Sequence, residues 1–283
     1  MDDTMHSPAD AAPAFSRRLH LLDELRGLTL IEMMLYHFLW NLVYIAGFDL
    51  VWYRGRGAHI WQQSICWTFI FLSGFCWSFG KHPFKRGLTV FLAGGLVTVV
   101  TLIVVPEDRV VFGVLTLIGS CMLLMIPLDM LLKRIMNPAA VMALTAFFGL
   151  LFLLFLPTMN GHLANFGGLF QGEPLFQGGP ALPKALYHGW LNTYLGFPAP
   201  DFYSTDYFPL LPWFFLFVTG YLCHRICSGA NFGRSNLLEL AIWRRNPLPW
   251  AAFMGRHSLL LYLLHQPVLY SITLIIIYFR QPT

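Results

Sequence analysis

Long apolar stretches alternate with short polar segments along most of the chain. The apolar stretches cover residues 28–48, 60–79, 87–105, 110–132, 139–156, 208–226 and 258–279. A run of about 18 to 20 apolar residues is long enough to cross the hydrocarbon core of a bilayer as one helix. The pattern therefore predicts an all-α protein, a polytopic membrane helical bundle of about seven transmembrane helices.

The composition supports a lipid environment. Apolar residues make up 57% of the 283 residues and charged residues only 11%, whereas soluble domains carry about 25% charge. This excludes an ordinary soluble enzyme. The 18 Lys and Arg residues are spread over several loops, so we expect no nucleic-acid partner. The bilayer itself is the first predicted partner.

Two segments outside the apolar stretches complete the predicted organisation. Residues 1–16 form a polar tail that we expect to be disordered, and residues 17–283 form a single transmembrane domain. Residues 157–207 are rich in Gly, Pro and aromatic residues. Long loops of this kind are usually functional or disordered, and the aromatic residues favour a folded loop over one end of the bundle.

The distribution of basic residues predicts the orientation of the chain. When the amino terminus is placed in the cytoplasm, most Lys and Arg residues lie in cytoplasmic loops, as membrane proteins generally require. The long loop carries only Lys184 and is then extracytoplasmic. The carboxyl terminus also lies outside.

Polar side chains inside the apolar stretches are costly and mark candidate sites. The first stretch holds Glu32 and His37, with Asn41 one helical turn beyond His37 on the same face. The last stretch holds His265 and Gln266 near its middle. These residues either hydrogen bond between helices as neutral partners or line a polar cavity.

His59 and Gln63 lie at the predicted outer boundary of the second stretch. A His that faces water there keeps its ability to take up a proton near neutral pH. The alternative is a structural His within an interfacial aromatic belt, because Trp52, Tyr53 and Trp61 are close in sequence.

Several motifs resemble one family of membrane enzymes. They are Leu22-Asp-Glu-Leu-Arg-Gly-Leu-Thr-Leu-Ile-Glu-Met-Met-Leu-Tyr-His37, Phe69-Ile-Phe-Leu-Ser-Gly-Phe75, Phe112-Gly-Val-Leu-Thr-Leu-Ile-Gly119, Asp206-Tyr-Phe-Pro-Leu-Leu-Pro-Trp213 and Gly255-Arg-His-Ser-Leu-Leu-Leu-Tyr-Leu-Leu-His-Gln-Pro267. In this order they resemble the heparan-alpha-glucosaminide N-acetyltransferase catalytic domain family in its short bacterial form. The resemblance extends from about residue 17 to residue 279.

The resemblance implies a transmembrane acyltransferase of a bacterial inner membrane. Such an enzyme takes an acetyl group from cytoplasmic acetyl-CoA and delivers it to an amine or hydroxyl of a cell-envelope sugar outside. The family's catalytic His lies near the loop between the first two spans, where this chain has His59. A polar Asn of the family's first span falls at His37, so His37 either shares or replaces the catalytic role.

The remaining site residues are assigned from their chemistry and their predicted position in the bundle. Holding the acetyl group is assigned to Asn41, Gln63, His265 and Gln266. Binding the CoA phosphates is assigned to Arg26, Lys85, Arg86 and Arg256, although the positive-inside rule explains any one of them equally well. No metal is expected, and a homo-oligomer is left open.

A second function fits the same polar residues. In a proton-coupled transporter or flippase, His37, His265 and Glu32 form a proton relay through the bundle. Such transporters are often built from inverted repeats, and the sequence shows none.

Overall fold

The computed structural model describes residues 19–135, 137–163, 179–229 and 236–280. The predicted tail at residues 1–16 lies outside them. Within these ranges the fold is all-α, as the sequence predicts, and an isolated bridge between His162 and Ala181 is the one β-type pairing.

Ten α-helices follow one another in the described part of the chain. They are α1 (His20–Trp40), α2 (Arg56–Phe75), α3 (Pro83–Val104), α4 (Val114–Leu132), α5 (Pro138–Phe155), α6 (Gly189–Leu195), α7 (Leu210–Cys227), α8 (Ala241–Arg244), α9 (Pro249–Arg256) and α10 (Ser258–Arg280). Helix α1 continues as one π-helical turn, Asn41–Ile45. Proline opens α3, α5 and α9, where its missing N–H costs nothing.

Six of the described helices are long and apolar enough to cross a membrane: α1 with its extension, α3, α4, α5, α7 and α10. Helix α2 covers most of the second predicted stretch but is not among them, and its first turns carry Arg56, His59 and Gln63. It nevertheless runs beside its neighbours from end to end. Its Trp61 ring packs 5.5 Å from Tyr36 of α1, and its Phe75 ring packs 5.4 Å from His224 of α7.

Six helices form a closed ring. Going round, α1 packs on α2, α2 on α7, α7 on α4, α4 on α3, α3 on α10, and α10 on α1. Helix α5 packs on the outside of α7, and α9 packs on α1. The interior is filled by apolar side chains, including Leu30, Ile70, Leu117, Cys121, Met125 and Phe217.

Glycines allow the helices to pack at backbone contact. A Cβ atom on Gly74 of α2 would lie 2.0 Å from the carbonyl oxygen of Phe217 in α7. A Cβ atom on Gly27 of α1 would lie 1.9 Å from the carbonyl oxygen of Ala251 in α9. Small residues at crossings are typical of membrane helices, because lipid provides no hydrophobic drive and close packing must hold the helices together.

The bundle has two distinct ends. We call the end where α1 and α3 begin the basic end, because it carries Arg26 and Arg86. We call the other end the loop end. There, the described residues 179–209 of the long loop cover the start of α4: Tyr194 of α6 donates a hydrogen bond to Ser120 Oγ at 2.5 Å, and Phe208 N–H donates to the Phe112 carbonyl at 2.9 Å. The loop residues 164–178 lie outside the described ranges.

Candidate functional site

A largely buried polar cluster lies where α1 faces α10. The ring centroids of His37 and His265 are 5.0 Å apart. Asn41 lies one turn further along α1 and is 1% exposed. Asn41 Nδ2, His265 Nε2 and Gln266 Oε1 are buried, and none has a hydrogen-bond partner among the described residues. Buried polar atoms are costly when unpaired, and these three atoms can each hydrogen bond to a polar ligand or to water.

The contacts of His265 fix its chemical character. Its Nδ1 is in hydrogen-bond contact with the backbone carbonyl oxygen of Tyr262. A carbonyl oxygen only accepts, so the contact holds the proton on Nδ1 and leaves Nε2 as a free acceptor. The imidazole is only 7% exposed. His265 therefore presents a proton acceptor to the interior of the bundle.

Asp206 joins this cluster from the segment before α7. Its Oδ2 accepts from the Tyr262 hydroxyl at 3.4 Å and from the Val114 N–H at 3.3 Å. Burial raises the pKa of the Asp206 carboxyl, and the two hydrogen bonds oppose that rise. A cavity of about 10 Å³, roughly the space of one water molecule, lies beside Asp206 and is also lined by Gly94.

The other residues predicted at this site lie on α2. His59 is half-buried in the first turns of that helix. Gln63 Oε1 accepts from Trp67 Nε1 at 3.2 Å, so its acceptor is already engaged. Among the described contacts, no hydrogen bond or ring contact joins either residue to His37.

Glu32 does not face the polar cluster. It is exposed on α1, and it lies five residues before His37, on another face of the helix. A different carboxylate of α1 is buried: Glu24 is 2% exposed and its Oε1 accepts from the Leu248 N–H at 3.2 Å, just before α9. Glu32 therefore lies apart from the pair of His37 and His265, with which it shares no described contact.

A larger cavity opens at the basic end. Its volume is about 470 Å³. It is lined by the ends of α4 and α7 and by the turn between α2 and α3, with the residues Trp77, Ser78, Gly80, Pro83, Asp129, Lys133, Tyr221, His224, Arg225 and Ser228.

The cavity has both cationic and aromatic walls. Lys133 Nζ lies 2.6 Å from Asp129 Oδ2, and the Tyr221 hydroxyl donates to Asp129 Oδ1 at 2.5 Å. Arg225 donates to the carbonyl oxygens that end α4, including that of Leu132 at 2.6 Å. His224 Nδ1 is buried without a partner among the described residues. Cationic groups bind phosphate, and aromatic rings provide surfaces for stacking.

The four predicted CoA residues are only partly brought together. Arg86 Nη1 donates to the Trp77 carbonyl at 3.4 Å, which places Arg86 beside the basic-end cavity. Arg26 is close enough to Arg86 for their charges to interact. Lys85 and Arg256 are exposed, and the Arg256 guanidinium lies 5.9 Å from the Phe253 ring centroid.

Sequence reasoning missed several residues that the structure places in these two regions. In the sequence, Asp206 stands out only as part of one motif, and Lys133, His224 and Arg225 lie at the ends of apolar stretches, where the positive-inside rule already explains a basic residue. The signal available for Asp206 was a carboxylate directly before an apolar span. Among the described residues, no group of three or more His, Cys, Asp or Glu side chains is arranged to hold a metal ion.

Comparison with known protein families gives a match over most of the chain. The family model described as heparan-alpha-glucosaminide N-acetyltransferase, catalytic, matches residues 18–267. This range includes both the polar cluster and the basic-end cavity. No curated protein and no solved structure gives a significant match.

Proposed function

Because the chain belongs to the heparan-alpha-glucosaminide N-acetyltransferase catalytic family, we propose that it transfers an acetyl group across a bacterial inner membrane. The donor is cytoplasmic acetyl-CoA, and the acceptor is an amine or hydroxyl of a cell-envelope sugar outside. The observation that carries the proposal is the pair of His37, which is half-buried, and His265, which is buried, with polar atoms that have no partner among the described residues.

The polar cluster supplies the groups that acyl transfer needs. The acceptor nitrogen or oxygen attacks the thioester carbonyl carbon, a new bond to that carbon forms, and the carbon–sulfur bond breaks. In this proposal His265 Nε2 takes the proton of the acceptor, with His37 beside it. Asn41 Nδ2 donates to the carbonyl oxygen as negative charge develops there. The departing CoA thiolate then takes up the proton.

The basic-end cavity supplies a place for the nucleotide part of CoA. Lys133, Arg225 and Arg86 provide positive charge for its phosphates, and Trp77 and Tyr221 provide aromatic faces. Along α4, Val114 and Asp129 are fifteen residues apart, or about 22 Å. In this proposal the pantetheine arm of CoA extends from the cavity toward the polar cluster, the apolar side chains between the two sites separate to admit it, and they keep water from the thioester.

The orientation is part of the proposal. The basic end faces the cytoplasm, as the distribution of Lys and Arg predicts, and the loop end faces the outside. His59 then lies on the side where the acceptor enters, which is the position implied by the family resemblance.

The test is acetyl transfer in proteoliposomes. Purified protein is supplied with radiolabelled acetyl-CoA on one side and envelope glycans or amino sugars on the other. We expect transfer by the wild type and a loss of at least a hundredfold in His37→Ala and His265→Ala. His59→Ala is measured in parallel to assign its role, and His257→Ala, at an exposed His between α9 and α10, is the control.

Two results would contradict the proposal. One is the absence of both acetyl-CoA binding and label transfer in the folded wild type with every acceptor tested. The other is full activity in His37→Ala and His265→Ala, which would remove the polar cluster from the reaction.

A further inference from the structure

The segment before α7 is anchored to the start of α4 by several hydrogen bonds. Val111 N–H donates to Ser204 Oγ at 2.9 Å. Thr205 N–H donates to the Arg109 carbonyl at 3.1 Å, and Phe208 N–H donates to the Phe112 carbonyl at 2.9 Å. Asp206 lies between these contacts, so its position is set on both sides.

Asp206 completes the first turn of α4. Gly113 precedes this helix and has no side chain to cap it, so the Val114 N–H is satisfied by Asp206 Oδ2 instead. A Cβ atom on Gly113 would lie 3.0 Å from the same oxygen. The glycine thus leaves room for a carboxylate supplied from a distant part of the chain.

The same oxygen holds the ring of Tyr262. The Tyr262 hydroxyl donates to Asp206 Oδ2, and the side chain is only 9% exposed. Phe69 of α2 stacks on this ring with a centroid distance of 6.4 Å. The His265 ring lies 5.1 Å from the Tyr262 ring and 5.0 Å from the His37 ring. A continuous series of contacts therefore runs from the loop end to the pair of His residues.

We propose that Asp206 is a positioning residue: by holding the Tyr262 hydroxyl, it fixes the orientation of His265 so that Nε2 faces His37. The effect of Asp206 on the reaction rests on the proposed acetyl transfer. Asp206 Oδ2 accepts both hydrogen bonds whether or not the carboxyl is ionised. The proposal therefore depends on the acceptor oxygen and not on the charge.

Four variants separate positioning from charge and from folding. Asp206→Ala removes the acceptor, Asp206→Asn keeps an acceptor oxygen, and Tyr262→Phe removes only the hydroxyl. Tyr203→Phe is the matched control, because Tyr203 lies in the same segment and is 48% exposed. Melting temperatures in detergent establish that each variant is folded.

The variants that break the contact should lower kcat and leave KM nearly unchanged. Asp206→Ala and Tyr262→Phe each lower kcat about tenfold with less than a twofold change in KM, and the double variant loses the same tenfold because both changes break one connection. Asp206→Asn and Tyr203→Phe stay within about threefold of the wild type. Tenfold losses that multiply in the double variant, or an Asp206→Asn variant as impaired as Asp206→Ala, would overturn the proposal.

A spectroscopic readout is independent of any acetyl transfer. In ¹⁵N-histidine spectra of the detergent-solubilised protein, with the signal assigned by its loss in His265→Gln, His265 shows a protonated Nδ1 and an unprotonated Nε2. Because the Tyr262 backbone carbonyl stays in place, the expected change is in ring position: in Tyr262→Phe and Asp206→Ala the Tyr262 ring no longer holds the His265 ring, so the His265 signals shift or broaden, whereas in Tyr203→Phe they do not. Unchanged His265 signals in both variants would overturn the positioning role even in an active enzyme. Altered signals in a protein without transfer activity would contradict the proposed function alone.

Discussion

Two adjacent glycines of α3 offer a matched test of how closely the helices of the ring pack. Gly94 is buried against α4: a Cβ atom there would lie 2.5 Å from both the backbone nitrogen and Oγ1 of Thr116. Gly95 is exposed, and a Cβ atom there would meet nothing within 4 Å. Gly94→Ala and Gly95→Ala therefore add the same methyl group to the same helix, in a crowded and in an open place.

The contact distances at Gly94 determine how strongly Gly94→Ala should change stability. Restoring an ordinary contact of 3.4 Å requires α3 to move from Thr116 by about 0.9 Å. Overpacking of this kind costs about 1–3 kcal/mol, and replacing a helical Gly by Ala returns about 0.5–1 kcal/mol. We expect Gly94→Ala to lose about 1–2 kcal/mol of unfolding free energy, and Gly95→Ala to be neutral or stabilised by up to about 1 kcal/mol.

The assay is thermal unfolding in one detergent at one scan rate, because unfolding of membrane proteins is often irreversible. At roughly 2–4 °C per kcal/mol, Gly94→Ala melts about 2–8 °C below the wild type. Gly94 also lines the cavity beside Asp206 and Tyr262, so acetyl transfer falls in this variant and not in Gly95→Ala. Equal melting temperatures for the two variants would refute the close packing of α3 on α4.

Three further predictions follow from the ionisable groups. Burial raises the pKa of Asp206 above its ordinary value of 3.8, so the contribution of Asp206 to stability is greatest below pH 3.8 and is lost as pH rises through the pKa of the folded state. The melting temperature of the wild type relative to that of Asp206→Asn should therefore fall as pH increases. A difference between the two that stays constant with pH would contradict this expectation. Tyr221→Phe removes a donor from buried Asp129 and should cost about 1–3 kcal/mol in thermal unfolding, whereas exposed Tyr44→Phe should cost nothing measurable. Lys133→Gln should weaken acetyl-CoA binding roughly tenfold, as measured by the rise in melting temperature with increasing acetyl-CoA concentration. Lys184→Gln, in the long loop, is the control. Equal affinities of Lys133→Gln and the wild type for acetyl-CoA would exclude the basic-end cavity as the nucleotide site.

Most helix positions could be predicted from the apolar pattern. The predicted stretch 87–105 is α3, Pro83–Val104, and the stretch 258–279 is α10, Ser258–Arg280. The largest difference is at the first stretch, predicted from residue 28, because α1 already begins at His20. Its first turns are polar in sequence, but Glu24 packs against the start of α9. Contact with another helix, which local hydropathy does not report, extends α1.

The site could be predicted only in part. His37 and His265 were identified because an imidazole in an apolar stretch is costly, and that argument is local. The same argument identified Glu32, which is exposed, and it passed over Asp206, which lies outside the apolar stretches. Asp206 becomes significant only through Tyr262 and Val114, which are 56 and 92 residues away in the chain.

The apolar pattern is enough to show that this is a helical membrane protein and where most of its long helices lie, because the thickness and polarity of a bilayer act on each segment separately. Which polar side chains meet is visible only in the packed bundle. That depends on the rotation of each helix and on how closely its neighbours approach, and here backbone contacts at glycines such as Gly74 and Gly94 set those distances. His265 became a candidate base only once packing had placed Tyr262, Asp206 and His37 around it.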